Sequence, residues 1–151
     1  MSGREMVGSV DAVMAMRHAP YTTCSALAEL IDNSLQASAE NIAVIAVDKD
    51  VQLAHKLVRQ LDQLAVMDDG CGMDADVLAD CLAVGFSRNK EERNGIGKFG
   101  YGMSVGSISQ CYRTEIYSWQ EGGPILYTYC DLKEFEEDNN TQIPTPVEVK
   151  K

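Results

Sequence analysis

The sequence predicts an α+β domain in which a mixed sheet carries its helices on one face. Three observations predict it. A helical pattern of apolar and small residues follows Pro20 and runs from about Thr22 to Ser38. Two apolar, β-branched runs occupy Ile42 to Val47 and Leu61 to Met67. Two alternating segments, Thr114 to Trp119 and Ile125 to Cys130, flank the turn signal Glu121-Gly122-Gly123-Pro124, which is a hairpin pattern. Neither an internal repeat nor a heptad pattern is present.

Taken in order, the first helix begins in a Thr/Ser-rich stretch suited to capping. Ala26, Leu27, Leu30, Ile31, Ser34 and Leu35 give it one apolar or small face, and Glu29, Asn33 and Gln36 share another. The apolar face can pack on the sheet while the polar face lines a pocket. Between the first two strand runs, Asp48 to Gln60 is polar and reads as a turn with room for a short helix. Ala75 to Leu82 reads as a helix capped by Asp74. Gly85 to Asn94, with Ser87-Arg88-Asn89-Lys90-Glu91-Glu92-Arg93, reads as a charged surface loop. A helix from about Gly100 to Ser109 follows, opened at its amino end by glycines. From Glu134 onward the chain is acidic and poor in core residues, which reads as a loop or frayed end.

At 151 residues and 45% hydrophobic, the chain suits one domain with a real core, and no apolar run approaches a membrane span. The first residues lack the basic start and apolar stretch of a signal peptide, which points to an intracellular protein. Thirteen basic against 23 acidic residues give a formal charge of −10. That argues against strong nucleic-acid binding by this segment itself, which needs clustered Lys and Arg, but is neutral toward a nucleotide. Cys24, Cys71, Cys81, Cys111 and Cys130 form no Cys-x-x-Cys pair, and the only histidines are His18 and His55. This argues against zinc and for reduced cysteines used as small apolar residues.

The chemistry gathers in three short runs. Glu29 and Asn33, one helical turn apart, can supply a general base for an attacking water and a neutral oxygen ligand for Mg²⁺, which keeps few protein ligands beside waters and phosphates. Asp68, at the end of an apolar strand, needs a donor, and an adenine amino group is a suitable one. Gly70 and Gly72 let the backbone turn sharply and approach a ring. The loop Gly95-Ile96-Gly97-Lys98-Phe99-Gly100-Tyr101-Gly102 can offer N–H groups to phosphates at a helix start, with Lys98 adding a charge. Gly95, Gly97 and Gly100 also match the dinucleotide fingerprint, but a charged loop rather than a strand precedes them. Nor is the loop a P-loop, since Phe99 follows the lysine and Glu92 lies six residues before it.

These runs resemble the three boxes of the GHKL ATPases: gyrase, heat-shock chaperones, histidine kinases and MutL. The N box is Glu29 to Asn33, the first glycine box Asp68 to Met73, and the second Gly95 to Gly102. The resemblance covers roughly residues 18 to 130 and implies a two-layer α/β sandwich of the Bergerat type over residues 1–133, with 134–151 an acidic tail or the start of a continuation. Glu29-Leu30-Ile31-Asp32-Asn33-Ser34-Leu35 and Asp69-Gly70-Cys71-Gly72-Met73 are similar to MutL. His18-Ala19-Pro20 with Phe99-Gly100-Tyr101-Gly102-Met103-Ser104 looks more like the microrchidia (MORC) ATPases and their chromosome-maintenance hinge-domain relatives, and that branch is favoured.

The resemblance implies ATP and Mg²⁺ as cofactors, with Glu29 the general base and Asn33 the Mg²⁺ ligand. It gives adenine to Asp68 and the base pocket to Gly70, Gly72 and Met73. Lys98, Phe99, Gly100, Tyr101 and Gly102 form the phosphate loop, and residues 85–97 a lid whose closure goes with dimerisation. Two departures stand out: Gln36 occupies a position where many members carry Asp, and the usual later Gly-Thr strand and lysine-bearing second domain are not seen. The implied protein is the front part of a longer, nucleotide-dependent dimer that hydrolyses ATP, or a domain that needs a partner. It would meet DNA or chromatin only through other domains, and reside in the cytoplasm, or in the nucleus of a eukaryote. The competing readings are a MutL-like repair ATPase, a nucleotide-gated clamp with negligible hydrolysis, a histidine-kinase catalytic domain, and a structural domain whose glycine motifs are accidental.

Overall fold

The computed structural model describes residues 3–5, 9–83 and 102–149. The chain runs β1 (Arg4–Glu5), α1 (Val10–Met16), α2 (Thr23–Gln36), β2 (Ile42–Gln52), β3 (Leu57–Asp68) and α3 (Ala75–Asp80). It continues through α4 (Gly102–Gln110), β4 (Arg113–Ser118), β5 (Leu126–Asp131), α5 (Leu132–Asp138), β6 (Gln142–Ile143) and β7 (Val147–Glu148). The α+β class is as the sequence predicts. Among the described residues the strands form three antiparallel sheets: β1 with β6, β2 with β3, and β4-β5-β7.

Local chemistry fixes the helix starts. Ser9 accepts a hydrogen bond from the Ala12 N–H at the head of α1. Thr22 and Ser25 form a reciprocal capping box on α2, each side chain accepting from the other's backbone N–H. Asp74 caps α3 through the Val77 N–H, as its sequence position suggests. The core joins Val13 of α1, Leu82, Ile108 of α4, Cys130 of β5, Leu132 and Phe135 of α5, and Ile143 of β6.

Two segments differ from the sequence reading. The polar stretch Asp48 to Gln60 is neither helix nor long turn: β2 and β3 continue through it as one hairpin, from Ile42 opposite Asp68 to Gln52 opposite Leu57. The register shifts between Val47 and Asp48, where Asp62 is the extra residue on β3. The Lys49 ammonium donates to its carboxylate, and Arg59 lies against Asp48, so cross-strand ion pairs take the place of apolar alternation. The acidic segment after Glu134 is ordered too. Its helix α5 is capped by Asp131, ends at Asn139 in the left-handed region (φ 46°), and buries only Leu132 and Phe135. With Ile143 fully buried as well, Phe135 and Ile143 anchor the segment to the core at roughly 1.5–3 kcal/mol each, and Leu132 does the same just before it.

The cysteines divide. Cys130 is buried and Cys81 partly so, and burial pushes both thiols up to about 12, where they are inert; Cys24, Cys71 and Cys111 are exposed. No helix among the described residues is long and apolar enough to cross a membrane.

Candidate functional site

Helix α2 is the axis of the site. Its C-terminal end holds the first glycine box: Ser34 Oγ donates to Asp68 Oδ2 at 3.0 Å, and the Cys71 N–H donates to the Ala37 carbonyl at 2.9 Å. The other oxygen of Asp68 accepts from the Gly70 N–H at 2.9 Å. The carboxylate is thus fixed by a hydroxyl on one oxygen and a backbone amide on the other. One lone pair on each oxygen remains for a further donor.

Helix α4 runs antiparallel along the same helix. Gly106 sits against Ala26 (a Cβ built at Gly106 lies 3.6 Å from the Ala26 Cα), and Thr23 Oγ1 donates to Gln110 Oε1 at 2.8 Å. One turn before Gly106 on α4 lies Gly102, and one turn after Ala26 on α2 lies Leu30. The amino end of α4 is therefore directed at the stretch of α2 that bears Glu29 and Asn33, both half-buried. Gln36, placed by its spacing on the same face, is exposed. Lys98, Phe99, Gly100, Tyr101 and the lid segment 85–97 lie outside the described residues.

The glycines of the first box are demanded by the protein's own packing. A Cβ at Gly70 would come within 2.7 Å of the Ala37 Cβ and 2.8 Å of the Ala37 carbonyl oxygen. Gly72 has φ +67°, and a Cβ there would overlap the Trp119 carbonyl. Next to it the Met73 N–H donates to the buried Ser118 hydroxyl at 2.8 Å, so the box is tied to the end of β4 as well as to α2.

Three residues carry roles that the sequence does not announce. Ser34 belongs by spacing to the small packing face of α2, and it is indeed 4% exposed. A buried hydroxyl needs a partner, however, and its single proton lies between the Leu30 carbonyl (3.1 Å) and Asp68 Oδ2 (3.0 Å). Ser118 gives no signal beyond strand alternation. Asp69, in sequence merely half of an Asp-Asp pair, accepts from the Glu40 and Asn41 N–H groups (2.8 Å each) and from Asn41 Nδ2 (2.7 Å). It clamps the α2–β2 turn beside the box.

The bonds from Asn41, side chain first and then backbone, helped by the Glu40 backbone N–H, hold the Asp69 carboxyl below its ordinary pKa against an opposing effect of desolvation. A depressed carboxyl adds stability above its unfolded pKa of about 4 and loses it as pH falls through the lower folded value. Asp69→Asn is therefore expected to lower the melting temperature most near neutrality. The gap to wild type should close in acid, as thermal melts across pH will show. A gap independent of pH would mean that the carboxylate charge is immaterial.

With this geometry in place, comparison with known proteins places the chain. Residues 21–151 match the family of histidine kinase-, DNA gyrase B-, and HSP90-like ATPases, and the chain belongs to that family. Among its relatives, MORC family CW-type zinc finger protein 1 of Homo sapiens is 38% identical over 96 residues, covering 60% of this chain and 9% of the relative. Protein MICRORCHIDIA 5 of Arabidopsis thaliana is 32% identical over 83 residues, 55% of this chain and 11% of the relative. The DNA mismatch repair protein MutL of Chlorobium phaeovibrioides is 27% identical over 109 residues, 70% of this chain and 16% of the relative. Each match thus spans only a small part of the relative's length.

Proposed function

We propose that this chain is the nucleotide-binding part of a microrchidia-like GHKL ATPase, which binds Mg²⁺-ATP and, in a complete and dimerising protein, hydrolyses it to ADP and phosphate. The observation that carries the reading is the Ser34–Asp68 hydrogen bond. It joins the N-box helix to the first glycine box while α4 brings its amino end along the same helix. Both the microrchidia relatives and MutL agree with this superfamily assignment.

The donor set fits the group. Asp68, with one lone pair open on each fixed oxygen, would accept from the adenine amino group, with Gly70, Gly72 and Met73 around the base. Asn33 offers a neutral oxygen to Mg²⁺. Gly102 opens α4, whose first-turn N–H groups suit a phosphate, and Lys98, Phe99, Gly100 and Tyr101 precede it in sequence. Glu29 holds the attacking water and takes its proton. Bound Mg²⁺-ATP supplies the phosphoanhydride to be cleaved and the metal charge that offsets the anionic oxygens. With a charge of −10, this part of the protein leaves any DNA or chromatin contact to other domains. An intracellular location goes with that chemistry.

The test is calorimetric titration of the chain with ATP, with and without Mg²⁺, and with GTP as control. Saturable binding that prefers ATP and tightens with Mg²⁺ is expected. Asp68→Asn should lose the preference for ATP over GTP, since an amide presents a donor where adenine also presents one. Equal ATP affinity in both forms would remove Asp68 from base recognition, and no saturation at millimolar ATP would overturn the nucleotide site in this chain.

A further inference from the structure

Helix α4 has no basic residue in its own last turn, yet its C-terminal carbonyls meet a cation. Arg17, the C-cap of α1, donates through Nη1 to the Ile108 carbonyl at 3.1 Å and to the Cys111 carbonyl at 2.9 Å. Its guanidinium also lies 4.0 Å from the centre of the Tyr112 ring, a ring that Lys133 approaches at 5.5 Å. A residue 91 and 94 positions away in sequence thus closes the negative end of α4. A planar cation with several donors can bridge two carbonyls and stack on an aromatic ring at once, which an ammonium cannot.

The geometry behaves as a lever. At nine residues α4 is about 13 Å long; it packs on α2 at Gly106, its midpoint, and at its C-terminal end Gln110 accepts from Thr23 Oγ1 and donates to the Tyr21 carbonyl. The Arg17 tie sits at that same C-terminal end, beside the Gln110 bonds, and Gly102 lies at the other. When the C-terminal end shifts, a short helix pivoting on Gly106 moves its amino end by a similar distance in the opposite sense. A displacement of about 1 Å is enough to spoil a phosphate contact.

We propose that Arg17 is a positioning residue for the phosphate end of the nucleotide site, setting where the Gly102 end of α4 lies against α2. The proposal rests on the nucleotide-binding reading above and adds a residue remote from the nucleotide. A role confined to holding the fold together would weaken binding of every ligand alike. A role through α4 is felt only by ligands that carry phosphates.

The test titrates ATP and adenosine into wild type, Arg17→Met and Arg17→Lys by calorimetry in Mg²⁺, with a thermal melt of each. Met keeps the stem packing and removes the donors; Lys keeps the charge and loses the fork. Arg17→Met is expected to weaken ATP binding several-fold to about tenfold while leaving adenosine affinity unchanged, and Arg17→Lys to restore part of the loss. If Arg17→Met does not fold, Arg17→Lys still carries the comparison, with a smaller loss confined to ATP. Equal losses for ATP and adenosine, or no loss for either, overturn the role of Arg17 alone. If wild type binds neither ligand, the nucleotide-binding reading falls, and the role of Arg17 falls with it.

Discussion

Gly72→Ala is expected to destabilise the chain by about 2–5 kcal/mol, a fall of roughly 5–15 °C in melting temperature for a domain of this size. Two causes add. At φ +67° a β-carbon is strained by about 1–2 kcal/mol. It also overlaps the Trp119 carbonyl, a backbone atom that moves only if the end of β4 moves. The Met73–Ser118 hydrogen bond would move with it.

Gly122 separates these causes. It has nearly the same backbone angle, φ +73°, but nothing lies within 4 Å of a Cβ built there. Gly122→Ala should therefore show the strain without the clash, about 1–2 kcal/mol. Thermal or urea unfolding of the two variants measures the difference directly. Equal losses would mean that the first glycine box gives way at Trp119, and that its seat against β4 is softer than the geometry indicates.

The same box shows how much of the site is legible in the sequence. Asp68, Gly70 and Gly72 stand out by type and spacing, and Glu29 with Asn33 stand out by helical periodicity. What spacing cannot convey is which side chain answers which. Ser34 reads as a small packing residue because its partner, Asp68, is 34 positions away. Gly70 and Gly72 read as glycines for a ligand, whereas Ala37 and Trp119 already require them. The fold follows the same division. Capped helices and the Gly122 hairpin announce themselves locally, through Thr22, Ser25, Asp74 and the Gly-Gly turn. The outer half of the β2–β3 hairpin does not, because Asp48-Lys49-Asp50 interrupts the apolar run of β2 and Leu57 to Gln60 on β3 shows no period-2 alternation. Helix α5 is hidden because two buried side chains in seven residues set no period, and its order comes from the core it joins.

Glu29→Ala is expected to lower ATP turnover in the complete protein by about 10²- to 10⁴-fold while sparing ATP binding. The half-buried carboxylate lies on α2 beside the approaching end of α4, one turn before Asn33 and away from the Asp68 end that would hold the base. On the proposed reading, its removal would delete the proton acceptor for the attacking water and leave the proposed adenine contacts of Asp68 in place. It also takes a negative charge away from the triphosphate, so affinity should hold or rise slightly. Single-turnover hydrolysis at saturating Mg²⁺-ATP, paired with calorimetry, reads the two effects separately. Wild-type hydrolysis by Glu29→Ala would remove Glu29 from the role of base. A wild-type protein that closes on ATP and turns over no faster than this variant would be a nucleotide-gated clamp, with the same residues used to bind and release rather than to cleave.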